Sequence, residues 1–88
     1  MDPNAPQFVT VFGGSGFVGR HIVRALAKTG IRIRVAVRRP NEALFLKTAG
    51  RAGQIEIVQA NIRDEKSCKT AIQGAVVVIN AVGILSES

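Results

Sequence analysis

Seven consecutive residues, Gly13-Gly14-Ser15-Gly16-Phe17-Val18-Gly19, have the make-up of a phosphate cradle. The glycines read two ways, as Gly14-x-Gly16-x-x-Gly19 and as Gly13-x-x-Gly16-x-x-Gly19. An apolar run precedes them and a segment of helical periodicity follows, the order required of a dinucleotide-binding turn. Gly13, lacking a Cβ, lets the backbone turn sharply out of a strand. Gly16 leaves room for a pyrophosphate against the main chain, and Gly19 lets the helix pack closely on the strand. Free N–H groups at the helix start, with the positive end of its dipole, then hold phosphates. No Gly-Lys-Ser/Thr follows, which excludes a nucleotide-triphosphate loop.

A second chemical signal is Arg38-Arg39-Pro40. In a dinucleotide fold the end of the second strand, roughly 20 positions past the glycines, lies by the adenosine ribose. An Asp or Glu there accepts from both ribose hydroxyls and selects NAD(H). Arginine instead binds a 2′-phosphate through paired, charge-assisted hydrogen bonds. With Arg38 in that neighbourhood, Arg39 beside it and no acid at the strand end, the sequence favours NADP(H) over NAD(H). Two surface arginines in a turn are the plain alternative.

Other reactive residue types carry less. His21 falls at the edge of a basic helix face with no second metal-binding side chain nearby, so it reads as solvated and no metal site is expected. Cys68, the single cysteine, sits in a helical segment beside Ala71 and Ile72 and reads as a small core residue. With no partner for a disulfide within the chain, it suits a reducing compartment.

The elements that position these residues alternate strand and helix. Phe8 to Phe12 is a first strand, apolar nearly throughout. Val18 to Thr29 is a helix burying Val18, Ile22, Val23, Ala25 and Leu26, with Arg20, Arg24 and Lys28 on its outer face and Gly30 closing it. Ile31 to Val37 is a second strand. Asn41 caps a short helix, Glu42 to about Ala49, that partly buries Leu44, Phe45 and Leu46. After the turn Gly50 to Gly53, Ile55 to Gln59 is a third strand. Asp64 caps a helix from about Glu65 to Gln73, closed by Gly74. Ala75 to Asn80 is a fourth strand, read as a fully apolar core run, and Ala81-Val82-Gly83 turns beyond it. The fold class is therefore α/β: a parallel sheet of order 3-2-1-4 with helices on both faces and right-handed crossovers.

The 88 residues are 47% hydrophobic, enough for one small domain or a piece of a larger one. The last apolar run lies close to the C-terminus, so residues 8–88 read as the N-terminal portion of a longer domain behind a frayed leader, residues 1–7. Lys and Arg number 12 against 6 Asp and Glu, a net charge of +6. The basic residues are dispersed and no Trp or Tyr is present, so stacking on single-stranded nucleic acid has little to work with, and no nucleic-acid partner is expected. No signal peptide or transmembrane run is apparent, which points to a cytoplasmic chain.

Together Gly13 to Arg20, Val-Arg-Arg-Pro at 37 to 40, Asn-Ile-Arg-Asp at 61 to 64 and Val-Ile-Asn-Ala-Val-Gly-Ile-Leu at 78 to 85 resemble the short-chain dehydrogenase/reductase superfamily. The fold so implied is Rossmann-type. Within the superfamily the chain is most similar to the atypical and extended branch of NAD(P)-dependent epimerases, and there to bacterial relatives of the NADPH-binding accessory subunit of respiratory complex I. The resemblance implies that Gly13, Ser15, Gly16, Phe17 and Val18 line the pyrophosphate and that Arg38 meets the 2′-phosphate, with Gly14 and Arg39 beside them among the cofactor-binding candidates. It places Asn61 and Ile62 beside adenine, with Asn61 where the family usually has Asp. Ala81, Val82 and Gly83 would adjoin the nicotinamide ribose. The superfamily's Tyr-x-x-x-Lys pair is missing, since the chain has no Tyr, and no catalytic residue is assigned. Two readings stay open: a cofactor-binding module, with a respiratory complex or other protein as partner at the inner membrane's periphery, or part of an NADP-dependent reductase, dehydrogenase or sugar-nucleotide epimerase.

Overall fold

The computed structural model describes residues 7–82. Leader residues Met1 to Pro6, and Gly83 with the residues after it, lie outside the described residues. Strands β1 (Phe8–Phe12), β2 (Arg32–Val37), β3 (Ile55–Gln59) and β4 (Val77–Asn80) form one parallel sheet in the order β3-β2-β1-β4, as expected. Helix α1 (Phe17–Ala27) and a 3-10 helix (Pro40–Ala49) cover one face, and α2 (Glu65–Ile72) covers the other.

Alternation along the strands divides the core between these faces. Val9, Val11, Ile33, Val35 and Val37 pack with Val23, Ala27, Ala43 and Leu46 under α1 and the 3-10 helix. Phe12 and Ala36 point the opposite way and meet Ala60 and Ala71, with Cys68 half-buried beside them. In-register pairs such as Val11 with Val35 and Ile79 keep the β-branched side chains of neighbouring strands side by side.

Helix α1 buries Gly19, Val23 and Ala27, which recur at every fourth position. Ala25, expected in the buried stripe, is exposed instead. Two positions past Val23 lies about 200° around the helix, on the solvent side. Arg20, expected on the solvated face, is half-buried; it donates from Nη2 to the Ser15 carbonyl at 3.1 Å.

The segment after β2 also differs from expectation. It is capped by Arg39 rather than Asn41, begins with Pro40 and is a 3-10 helix. With three residues per turn, one face collects every third residue. Ala43 and Leu46 are therefore buried, while Leu44 and Phe45 are exposed.

Strand β4 is the clearest correction. Its apolar run suggested a core strand, yet Val76, Val77 and Val78 are exposed. β4 pairs with β1 along one side only, and no described strand lies on the other.

Polar groups tie the layers together. The fully buried Thr10 hydroxyl donates to the Ala71 carbonyl at 2.9 Å, and Arg34 Nη1 donates to the same oxygen at 3.2 Å. Arg34 also pairs with Glu56, its cross-strand neighbour, at 2.7 Å and lies over the Phe8 ring. Gln54 Nε2 donates to the Ala27 and Ile31 carbonyls, both at 2.9 Å, fastening the end of α1 to the start of β2. As predicted, Asp64 Oδ1 accepts from Lys66 N at 3.1 Å and caps α2.

Candidate functional site

All four strands end at one edge of the sheet, and each ladder runs one residue further there. Gly13 N donates to Ala36 O at 3.0 Å, Ala60 N to Val37 O at 2.8 Å, and Ala81 N to Phe12 O at 2.9 Å. Between these ends lies a cleft of about 370 Å³. Phe12, Ala36, Val37 and Ala60 supply apolar surface, Gly13, Ser15 and Gly16 one wall, and Arg38, Arg39 and Glu42 another. Ile62, Ala81 and Val82 complete it. A cleft outside the carboxyl ends of parallel strands, where crossovers run to opposite sides, is the usual ligand position in such sheets.

The glycine turn is built by close approach. Gly13 adopts φ +76°, a left-handed conformation that side chains resist, and a Cβ there would also lie 2.9 Å from Val82. A Cβ on Gly14 would lie 2.7 Å from the Val35 side chain, so this glycine packs beneath the site and does not line it. A Cβ on Gly19 would overlap the Gly13 carbonyl oxygen and sit 2.7 Å from Gly14 Cα. The close packing expected of Gly19 is thus against the turn itself. Gly16 N donates to Gly13 O at 3.2 Å, and Gly16 serves as the N-cap of α1 with no side chain to cap it. The first turn of α1 holds no acidic residue. Its unpaired N–H groups and positive dipole end are consequently free to meet an anion.

The remaining residues singled out from sequence are spread around this cradle. Arg38 and Arg39 are exposed on the cleft wall, and Arg39 Nη1 lies 3.5 Å from Glu42 Oε1. Phe17 and Val18 start α1 without lining the cleft; the Phe17 ring is exposed and meets His21 edge-on, with centroids 4.8 Å apart. Ile62 lines the cleft, whereas Asn61 lines an adjoining hollow of about 380 Å³ with Arg38, Arg39, Asp64 and Ser67. The Asn61 side-chain oxygen accepts from Arg63 N at 3.0 Å, so one of its lone pairs is already engaged. Its backbone N–H donates to Ser67 Oγ at 2.9 Å, and Cys68 Sγ reaches the Asn61 and Ile62 carbonyls at 3.6 Å. Helix α2 thereby holds this loop in place. Ala81 and Val82 line the cleft, and Gly83 lies outside the described residues.

Sequence reading missed Glu42, assigning it only to the start of a helix. The available signal was its position three residues past Arg39 with Pro40 between them, which a 3-10 turn brings to one side.

Comparison with known proteins gives the same outline. The profile of the NmrA-like family matches residues 6–88. A mitochondrial NADH dehydrogenase [ubiquinone] 1 alpha subcomplex subunit 9 from Dictyostelium discoideum is 45% identical over 75 residues, covering 84% of this chain and 21% of the relative. A ceramide reductase from Caulobacter vibrioides is 34% identical over 85 residues, covering 97% of this chain and 26% of that enzyme. Among solved structures, vestitone reductase from alfalfa superposes with a TM-score of 0.76 at 25% identity, over 91% of this chain and 26% of that one. The chain therefore spans about a quarter or less of the length of these relatives. Dehydrogenase subunits and reductases are the relatives that the sequence resemblance led one to expect.

Proposed function

The chain belongs to the NmrA-like family, and from that footing we propose that it binds a nicotinamide dinucleotide, NADP(H) in preference to NAD(H), across the ends of its strands. The observation that carries the reading is the uncapped, acid-free start of α1, facing a cleft whose opposite wall bears two arginines. In this reading Gly13, Ser15 and Gly16 line the pyrophosphate cradle, Gly14 packs beneath it, and the main-chain N–H groups of Phe17 and Val18 at the start of α1 act as donors. Arg38 and Arg39 take the 2′-phosphate. Asn61 and Ile62 flank adenine, and Ala81, Val82 and Gly83 adjoin the nicotinamide ribose. Bound there, the dinucleotide would supply hydride chemistry; the residues of this chain bind and orient it.

The greater length of the relatives favours residues 8–88 being one portion of a larger dinucleotide-binding domain. The kinship with NADH dehydrogenase subunits favours a cofactor-holding role beside a respiratory assembly, peripheral to the inner membrane on its cytoplasmic side. Among the described residues no helix is long and apolar enough to cross a membrane. A second reading draws on the reductase names among the relatives. There the same site serves a reductase, dehydrogenase or epimerase whose proton-transferring Tyr and Lys are supplied by further sequence.

Calorimetric titration with NADPH and with NADH tests the proposal. Saturable binding with NADPH tighter is the expected result, and binding of neither ligand contradicts it. Turnover of a carbonyl substrate by a longer reading frame carrying Tyr-x-x-x-Lys would favour the second role over the first.

A further inference from the structure

We infer that Glu42 sets how strongly this site discriminates a 2′-phosphate from a bare ribose. The inference rests on the dinucleotide reading above and deepens it. Pro40 opens the 3-10 helix, and Glu42 N donates to the Arg39 carbonyl at 3.0 Å, closing its first turn. Three residues per turn place residue i+3 over residue i, which puts the Glu42 carboxylate 3.5 Å from the Arg39 guanidinium. Both residues line the cleft beside Arg38. No carboxylate lies within ion-pairing distance of Arg38 among the described residues.

The two arginines are therefore unequal. Arg38 presents an uncompensated positive charge to an incoming phosphate. Arg39 carries its own counter-ion, and that counter-ion repels a phosphate while it accepts hydrogen bonds from ribose hydroxyls. The Arg39 and Glu42 side chains are 76% and 63% exposed, so their pairing is weak and either partner is cheaply recruited by a ligand. A 2′-phosphate draws Arg39 away from Glu42; a ribose diol engages Glu42 instead. Glu42 narrows the preference that Arg38 creates, giving a site that favours NADP(H) without rejecting NAD(H).

The test compares the protein with its Glu42→Gln variant, each titrated with NADPH and NADH at low salt. Removing one nearby negative charge from an exposed site should tighten NADPH binding about three- to tenfold and leave NADH binding unchanged or weaker. The gain should shrink as ionic strength rises. Glu56→Gln, which removes the same charge from the pair with Arg34 away from the cleft, is the control and should not alter the ratio. An unchanged ratio in Glu42→Gln, with the parent protein still binding NADPH, overturns the role of Glu42 and leaves the dinucleotide reading standing. An equal shift in Glu56→Gln overturns it too, by assigning the effect to net charge. If the parent binds neither dinucleotide, the underlying reading itself falls.

Discussion

The two ends of the cleft are made in different ways. At the glycine turn the wall is main chain, Gly13 at positive φ and Gly16 capping α1 without a side chain, with Gly19 packed behind it against the Gly13 carbonyl. At the arginine end it is made of exposed side chains, Arg38, Arg39 and Glu42, with one weak ion pair between Arg39 and Glu42. A main-chain cradle cannot be retuned without rebuilding the turn. A side-chain wall can change its ligand preference by single substitutions that leave the fold alone. In the proposed reading, recognition of the pyrophosphate would belong to the fold, and recognition of the ribose substituent to the surface.

Substitution at each end should bring out that difference. The largest effect is expected for Gly19→Ala, because the added methyl meets backbone on the turn and no flexible side chain can yield. Overpacking of this kind should lower stability by about 2–3 kcal/mol in urea denaturation and abolish dinucleotide binding with it. Unchanged stability would mean that α1 can slide away from the turn and that the cradle is less rigid than described. Next comes Arg38→Ala, which should leave the denaturation midpoint unchanged yet weaken NADPH binding about tenfold, with NADH much less affected. Equal losses for both would break the division between fold and surface. The smallest effect is expected for Asp64→Ala, since losing the α2 cap costs about 1 kcal/mol. Helix α2 holds the Asn61–Ile62 loop through Ser67 and Cys68, so NADH binding should change little, while loss of the Asp64 charge from the hollow beside Arg38 and Arg39 should favour NADPH slightly.

The same contrast explains what could be read from sequence. Glycine spacing and the strand preceding it are local patterns, and with the alternation of strands and helices they led to the observed sheet order. Asp64 could be read as a cap because capping depends on residues two or three positions away. Glu42 was missed although its i+3 spacing from Arg39 was legible, because that spacing alone does not say that the pair faces the cleft. The three-residue repeat of the 3-10 helix turned Leu44 and Phe45 outward against expectation. β4 misled for another reason: an apolar strand reads as buried, but burial depends on what lies beside it in the sheet. Gln54 and Arg34, which fasten layers by long-range hydrogen bonds, carry no local signal at all.

The most direct test of the site is a titration of the isotopically labelled protein with NADPH, followed residue by residue through backbone amide resonances. The account predicts that the largest shifts fall on Ser15 to Val18, around the free N–H groups at the start of α1, with smaller ones at Arg38 and Ile62. Shifts concentrated instead on the basic outer face of α1, around Arg24 and Lys28, would contradict it and reduce the binding to charge attraction alone.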